Sequence, residues 1–256
     1  MRIAIVGGAG TLGRHITAEL AGRGHEVRVL SRSSPAFPVD LSTGAGLEAA
    51  LAGCSVVVDA SNSQRRSREV LVEGSGRLLA AEHRAGVGHH VCVSIVGCDR
   101  VPIGYYRVKT EQEQVVAHGP VRWTIVRATQ FHELAASLFA ATARYRVLPG
   151  PRLPLQPVAA AEAARAVATA AEANPADGRI EVAGPQISSV ADLARSWRSA
   201  TGRTAALLPV PVPGRLGREL RSGALTTTHP DVAGTTTFAD WLATSSGKPE
   251  RPGSNP

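Results

Sequence analysis

The chain has 256 residues, of which 43% are hydrophobic and 19% are charged, so it is long enough and apolar enough to bury a full core. This composition excludes an intrinsically disordered protein and indicates one large domain, or one domain that carries a small appendage. The formal net charge of +7 comes mainly from scattered arginines, and only 4% of the residues are aromatic. Since no basic run is interleaved with aromatics, we expect no nucleic-acid partner.

Apolar segments rich in β-branched residues alternate with helical patterns through the first half of the chain. The strand segments are residues 2–6, 26–30, 55–59, 90–96 and 122–126, and the helical patterns between them are residues 12–24, 46–53, 68–86 and 105–119. Near-continuous apolar strands are typical of a sheet that is covered on both faces, and the alternation predicts right-handed crossovers. We therefore predict an α/β fold, with a Rossmann-type, doubly wound parallel sheet over residues 1–130.

The pattern becomes less regular after residue 130. Helices are predicted near residues 131–143, 159–173 and 189–201, with a strand at 179–184 and proline-rich segments between them. These segments are too short for a second independent core, so we expect residues 131–243 to form a small substrate-binding cap within the same globular unit. Residues 244–256 are polar and rich in proline and glycine, and we predict that they are disordered.

The cysteines and histidines indicate a reducing compartment and no metal. Cys54, Cys92 and Cys98 are odd in number and lack CxxC spacing, so we expect buried thiols in a cytoplasmic protein. The histidines have no metal-ligand spacing with cysteines or carboxylates, so we expect no metal site. No apolar stretch approaches the length of a membrane span, and we expect no membrane association.

A glycine-rich segment separates the first strand from the first helix. It reads VGGAGTLG and places Gly7, Gly10 and Gly13 around the turn, with Thr11 and Leu12 between the last two. Glycine at a tight turn lets the backbone approach a pyrophosphate, and the N-terminus of the following helix attracts its negative charge. Because a strand precedes the motif and a helix follows it, the sequence predicts that these five residues bind a dinucleotide.

The residues after the second strand favour NADP(H) over NAD(H). An NAD-specific site places a carboxylate about twenty residues beyond the glycine loop, on the ribose 2′-hydroxyl. Here Ser31 and Arg32 stand at that point, and a guanidinium can pair with a 2′-phosphate. Further along, Asp40 is a candidate to accept from the adenine amino group, with Leu41 packing on the ring. The alternative is that Asp40 is a turn or capping residue.

A third segment of interest follows the third strand. Ala60, Ser61 and Asn62 stand directly after the apolar run that ends at Asp59. Ligands of open α/β sheets bind at the carboxyl ends of the strands, so we predict that these three residues contact the nucleotide.

Lys109 is notable because the chain contains only one other lysine, Lys248, among its 28 basic residues. Tyr105 stands four residues before it in a helical pattern, and positions i and i+4 share one face of a helix. Tyrosine has a reference pKa of about 10 and is a poor base at neutral pH unless a nearby cation favours the phenolate. The spacing therefore predicts that the two side chains act together.

The glycine loop, Arg32, Ser94 and the Tyr105–Lys109 pair together resemble the short-chain dehydrogenase/reductase superfamily, over residues 1 to about 130. Later segments are similar to its atypical, NmrA-like NAD(P)-binding branch. These segments are residues 124–134, 155–167 and 178–195. The resemblance implies that Tyr105 is the acid/base, that Lys109 lowers the pKa of Tyr105 and holds the nicotinamide ribose, and that Ser94 orients the substrate. It also implies that the backbone at Ala128 contacts the nicotinamide.

The sequence thus predicts an NADP-dependent oxidoreductase of the atypical short-chain type. It would transfer hydride to or from a carbonyl or conjugated carbon of a small hydrophobic substrate, such as a quinone or a product of secondary metabolism. Two alternatives stay open. One is an NmrA-like regulator that binds NAD(P) and signals to a protein partner without turnover, and the other is a redox-neutral isomerase or epimerase on the same fold.

Overall fold

The fold is known from a computed structural model that describes residues 1–101 and 103–245. The predicted disordered tail begins at residue 244, and all but its first two residues lie outside this described part. The strands are β1 (Arg2–Val6), β2 (Glu26–Leu30), β3 (Val56–Asp59), β4 (His89–Ile95), β5 (Trp123–Ala128), β6 (Val147–Pro149), β7 (Pro154–Leu155), β8 (Gly178–Ala183), β9 (Ser188–Ser189), β10 (Ala206–Leu208) and β11 (Val232–Ala233).

Helices connect most of these strands. They are α1 (Thr11–Gly22), α2 (Leu47–Leu51), α3 (Gly74–Ala85), α4 (Gly104–Ala117), α5 (His132–Ala143), α6 (Ala160–Glu172), α7 (Val190–Thr201), α8 (Gly214–Arg221) and α9 (Phe238–Ser245). A π-helical stretch, Arg68–Glu73, leads directly into α3. No helix in the described ranges is long and apolar enough to cross a membrane.

The central sheet contains seven strands within the described residues, in the order β11, β8, β5, β4, β3, β1 and β2. Every pair along this sheet is parallel. The prediction of a Rossmann-type, doubly wound parallel sheet is therefore confirmed. β1 pairs with β2 on one side and with β3 on the other, so the chain order reverses there, and such a reversal is where ligands of open α/β sheets bind.

Helices cover both faces of the sheet, and each face has its own apolar layer. α1 and α6 pack on one face, and α2, α3 and α4 cover the opposite face. Alternate residues of a strand point to opposite faces, so Ile3 and Ile5 of β1 fill the first layer while Ala4 and Val6 fill the second. This two-sided burial explains why the strands are apolar at nearly every position.

The C-terminal portion contributes to the sheet as well as to a cap. β8 pairs with β5, β11 pairs with β8, and α6 packs against α1. The central sheet therefore includes two strands from beyond residue 130. The remaining elements form a third apolar cluster, in which Phe139 of α5 and Trp197 of α7 are buried with side chains of α9.

The turn between β1 and α1 is packed so closely that only glycine fits at two of its positions. Gly7 has a φ of +72°, and a Cβ built there would lie 2.6 Å from the carbonyl oxygen of Ala60. A Cβ at Gly13 would lie 2.1 Å from the carbonyl oxygen of Gly7. The start of α1 therefore packs against the turn that precedes it, and this turn packs against the residues that follow β3.

We expect Gly13→Ala to lower the free energy of unfolding by about 1–3 kcal/mol or more, because the added methyl group overlaps backbone that cannot move aside. Gly22→Ala is the matched control on the same helix, since a Cβ there meets nothing within 4 Å, and it should stabilise the protein by roughly 0.4–1 kcal/mol. Urea unfolding of both variants measures the difference. Equal stability of the Gly13→Ala variant and the wild type would contradict the close approach.

The inward face of α4 is polar, which is unusual for a helix that covers a sheet. Lys109, Gln112 and Glu113 are at most 3% exposed. Glu113 accepts two hydrogen bonds from Arg127 of β5, at 2.9 and 2.7 Å, and one from Ser94 of β4 at 2.6 Å. Arg179 of β8 adds another, at 2.9 Å. One carboxylate therefore ties α4 to three neighbouring strands.

These bonds determine the pKa of Glu113. Burial alone would raise the pKa of this carboxyl group, but the hydrogen bonds from Arg127, Ser94 and Arg179 outweigh burial and lower it to about 2. A carboxyl group whose pKa is lower in the folded state stabilises the protein above its ordinary value of 4.5, and this contribution is lost as the pH falls from there towards 2.

We expect Glu113→Gln to lower the free energy of unfolding by about 3–5 kcal/mol at pH 7, because it leaves the buried Arg127 charge without its main partner. The difference from the wild type should shrink as the pH falls from 5 to 2. Glu111→Gln is the control on the same helix, since Glu111 pairs with exposed arginines and should change stability by less than about 1 kcal/mol. Equal losses of unfolding free energy in Glu113→Gln and Glu111→Gln would show that the buried hydrogen bonds of Glu113 do not stabilise the fold.

Candidate functional site

Three predicted binding segments lie side by side at the carboxyl edge of the sheet. In the parallel register, Val6 at the end of β1 is beside Leu30 of β2 and Asp59 of β3. The glycine turn, Ser31 and Ala60 directly follow these three positions. Backbone hydrogen bonds from Gly7 N to Leu30 O and from Ala60 N to Val6 O hold the three segments together. The edge therefore assembles one surface from segments far apart in sequence.

The first turn of α1 is well suited to an anion. Gly10 precedes the helix, and no side chain among the described residues caps this N-terminus. Gly10 and Thr11 are exposed, whereas Leu12 and Gly13 are buried, with Leu12 in the apolar layer. The backbone N–H groups at the start of a helix have no partner within the helix, and they lie at the positive end of the helix dipole. A pyrophosphate would satisfy them.

Arg32 lies at the exposed end of this surface. It follows Ser31, whose carbonyl oxygen accepts a hydrogen bond from Val39 N as the loop turns back. The charge of Arg32 also lowers the pKa of Asp40, after the larger effect of the hydrogen bonds from Ser42. An exposed guanidinium next to the end of β2 is where a 2′-phosphate would be recognised.

Asp40 and Leu41 are occupied by contacts within the protein. Asp40 Oδ1 accepts from Ser42 N at 2.8 Å and from Ser42 Oγ at 2.7 Å, and these two bonds are the main reason that the pKa of Asp40 is lowered. Leu41 is 6% exposed and packs against Gly74. The contacts support the alternative of Asp40 as a turn residue, and they do not favour the predicted contacts with adenine.

The segment after β3 presents two polar groups that point to a ligand. Ser61 N donates to Asp59 Oδ1 at 2.9 Å, but the buried Ser61 Oγ has no partner among the described residues. A buried hydroxyl without a partner is costly, and a bound molecule would supply one. Asn62 is exposed, and its Oδ1 accepts a hydrogen bond from Tyr105 Oη at 2.7 Å. The sequence singled out both residues but did not predict that Asn62 and Tyr105 meet.

Tyr105 is protonated at neutral pH. Burial, followed by the negative charge of Asp59, raises the pKa of its phenol to about 12. This direction is opposite to the predicted lowering by Lys109 and does not favour it. The physical reason is that the phenol lies half-buried near a carboxylate, while the Lys109 ammonium is bonded elsewhere. The phenol therefore keeps its proton at neutral pH, and in this state it cannot act as a base.

Lys109 is buried on the inward face of α4. Its Nζ donates to the carbonyl oxygen of Val93 at 2.7 Å and to Gln112 Oε1 at 2.5 Å. An ammonium has three N–H donors, so one is left after these two bonds within the described part of the chain. Gln112 was not predicted as a site residue, although its position three residues after Lys109 on the same helix face was the available signal.

Ser94 and Ala128 lie deeper than predicted. Ser94 is 3% exposed and donates to Glu113, because the alternation of β4 turns its side chain towards α4. This contact does not favour a role in orienting the substrate. Ala128 is also 3% exposed, at the end of β5, and its carbonyl oxygen accepts from Val96 N at 3.0 Å. A contact of this backbone with the nicotinamide stays a prediction.

One group of metal-ligand side chains occurs among the described residues. Asp59, His90 and Cys92 are buried, and one potential ligand atom from each lies within 4.8 Å of the others. This grouping was not predicted, because Asp59 comes from a neighbouring strand and is distant from His90 and Cys92 in sequence. His90 Nδ1 is bonded to Glu82 at 2.9 Å and the Asp59 carboxylate accepts from the Ser75 hydroxyl, whereas the buried His90 Nε2 has no partner among the described residues.

Comparison with known proteins identifies the nucleotide-binding part. The model of a family described as NAD(P)H-binding matches residues 7–174, which is more than half of the chain. An uncharacterized protein of Mycobacterium tuberculosis is 30% identical over 135 residues, which are 50% of this chain and 14% of that protein. The chain therefore spans only a small part of this relative, whose other regions have no counterpart in the match.

Solved structures share the fold over almost the whole chain. The NADPH-dependent quinone oxidoreductase QOR2 of Escherichia coli, complexed with NADPH, has a TM-score of 0.79 at 20% identity and covers 94% of this chain and 99% of its own. The UDP-glucose 4-epimerase of Thermus thermophilus, complexed with NAD, has a TM-score of 0.73 at 20% identity. The match covers 95% of this chain and 98% of the epimerase chain. The chain therefore belongs to the NAD(P)H-binding family, and the predicted resemblance is confirmed at the level of this family and of the fold.

Proposed function

We propose that the protein is an NADPH-dependent reductase of the atypical short-chain type. It would reduce a carbonyl or conjugated carbon of a small hydrophobic molecule in the cytoplasm. The observation that carries this proposal is the protonated Tyr105 phenol, which is bonded to Asn62 at the carboxyl edge of the sheet, where ligands of open α/β sheets bind. An acid at this position serves the reductive direction, in which the substrate oxygen gains a proton.

The residues at the edge fit a nicotinamide dinucleotide phosphate. The open first turn of α1 would bind the pyrophosphate, and the exposed Arg32 would pair with the 2′-phosphate. Ser61 Oγ, which is buried without a partner in the described chain, and the remaining N–H of Lys109 would bind the ribose on the nicotinamide side. The bound nicotinamide would supply the hydride.

Tyr105 would deliver the proton. Asn62 Oδ1 accepts from its Oη at 2.7 Å, which orients the phenol without removing its hydrogen. Since burial and Asp59 raise the pKa of Tyr105 to about 12, the phenol is in its acidic form throughout the physiological range. A substrate oxygen that displaces Asn62 would accept the same hydrogen bond and then the proton as negative charge develops.

Two observations support a hydrophobic substrate. Large apolar side chains are exposed on α5 and just before α4, namely Leu134, Leu138 and Ile103 at 60%, 48% and 37%. Exposed apolar side chains in the C-terminal portion suit a ligand with little polar surface. The structural similarity to a quinone oxidoreductase supports a quinone as one candidate.

The similarity to an epimerase supports a second candidate function, a redox-neutral reaction that would consume no net NADPH.

We expect Tyr105→Phe to reduce kcat for NADPH oxidation by about 10²- to 10⁴-fold on a panel of quinones and carbonyl compounds, because the general acid is lost. The Kd for NADPH should stay within about twofold of the wild type, since the phenol would contact substrate rather than phosphate. Tyr106→Phe is the control, because Tyr106 packs against Val101 and Leu225 instead. NADPH binding without turnover of any compound by the wild type would overturn the reductase proposal.

We expect Arg32→Glu to weaken NADPH binding at least tenfold, on the order of one charge-assisted contact, with little effect on NADH. Arg203→Glu makes the same charge change at an exposed position after α7 and should leave both affinities unchanged. Fluorescence titrations at one ionic strength give the Kd of the wild type and of each variant for NADPH and for NADH. Equal weakening of NADPH and NADH by Arg32→Glu would argue against recognition of the 2′-phosphate.

A further inference from the structure

A closed set of buried hydrogen bonds connects Lys109 to the end of β3. Gln112 Oε1 accepts from Lys109, while Gln112 Nε2 donates to Asp59 Oδ2 at 3.1 Å and to Ser75 Oγ at 3.0 Å. Ser75 Oγ in turn donates to Asp59 Oδ2 at 3.1 Å. All four side chains are at most 3% exposed. The set joins α4, α3 and β3 beneath the candidate nucleotide edge.

The chemistry of these groups allows only one orientation of the Gln112 amide. Lys109 has donors only and the Asp59 carboxylate has acceptors only, so the amide oxygen must face the ammonium and the amide nitrogen must face the carboxylate. Both N–H groups of Gln112 Nε2 are used, one by Asp59 and the other by Ser75. The amide therefore cannot turn without leaving at least two buried groups unsatisfied.

This fixed amide restricts the Lys109 ammonium. Gln112 Oε1 and the Val93 carbonyl oxygen hold two of its three N–H groups, one from the helix and one from the strand. A flexible lysine side chain loses much conformational freedom when it is ordered for a ligand, and here that ordering precedes binding. The third N–H group is thereby kept in one direction.

We propose that Gln112 is a positioning residue, which holds the Lys109 ammonium in place for the nucleotide and is itself oriented by Asp59 and Ser75. The inference rests on the proposed function, because it assigns a nucleotide contact to Lys109. Gln112 does not touch the nucleotide in this account. Its effect on binding passes through Lys109 alone, so removing Lys109 must remove the effect of Gln112.

A double-mutant cycle tests this dependence, with NADPH binding to the 256-residue chain as the readout. Gln112→Met keeps the length of the side chain but removes the amide, and it should weaken NADPH binding on the order of fivefold. Lys109→Met should weaken it about tenfold or more. In the protein that already carries Lys109→Met, the further change Gln112→Met should have no effect on the Kd. Thermal unfolding of each variant separates loss of stability from loss of affinity.

Ser75→Ala provides a second, milder cycle if Gln112→Met does not fold. It removes one of the two acceptors of the Gln112 amide and should weaken NADPH binding about twofold, again only when Lys109 is present. Unchanged affinity in Gln112→Met, or equal weakening with and without Lys109, would overturn the positioning role while leaving the nucleotide site intact. Failure of the wild type to bind NADPH would instead overturn the proposed function, and this inference with it.

Discussion

The structure depends on charged and polar side chains that α4 buries against the sheet. A helix that covers a sheet normally presents apolar residues, whereas α4 presents Lys109, Gln112 and Glu113. Buried charges are costly unless they are paired and fully hydrogen-bonded, and here Glu113 is paired with Arg127 and Arg179. Because these partners lie on two different strands, the position of α4 over the sheet is set by directional bonds and not only by apolar contact.

The contacts that hold α4 on the sheet also position Tyr105, the proposed acid. Tyr105 lies one helical turn before Lys109, so whatever holds the inward face of α4 also places the phenol beside Asn62 at the end of β3. The same polar surroundings set the proton state of the site, since burial and the Asp59 charge raise the pKa of the tyrosine. Structural anchoring and acid chemistry therefore share one helix face, and a substitution on that face affects both.

The opposite side of the site is built from backbone. The glycine turn is pressed between α1 and β3, and the open first turn of the helix presents N–H groups rather than side chains. Such a surface recognises phosphate in any nucleotide, so selectivity between nucleotides must come from side chains around it, of which Arg32 is an exposed cation. Solved structures that share this fold were determined with NADPH in one case and NAD in another.

Much of this molecule follows from the sequence by itself. Strand and helix alternate with clear periodicity, and the glycine spacing is tied to one turn geometry, so the parallel sheet, the nucleotide-binding edge and the shared face of Tyr105 and Lys109 were predictable from local pattern. Only the tertiary structure decided the partners of the polar side chains. Ser94 bonds to Glu113, Gln112 links Lys109 to Asp59, and the pKa of Tyr105 rises instead of falling. The reason is that hydrogen bonds and burial depend on which distant segments meet, and local sequence does not specify those contacts.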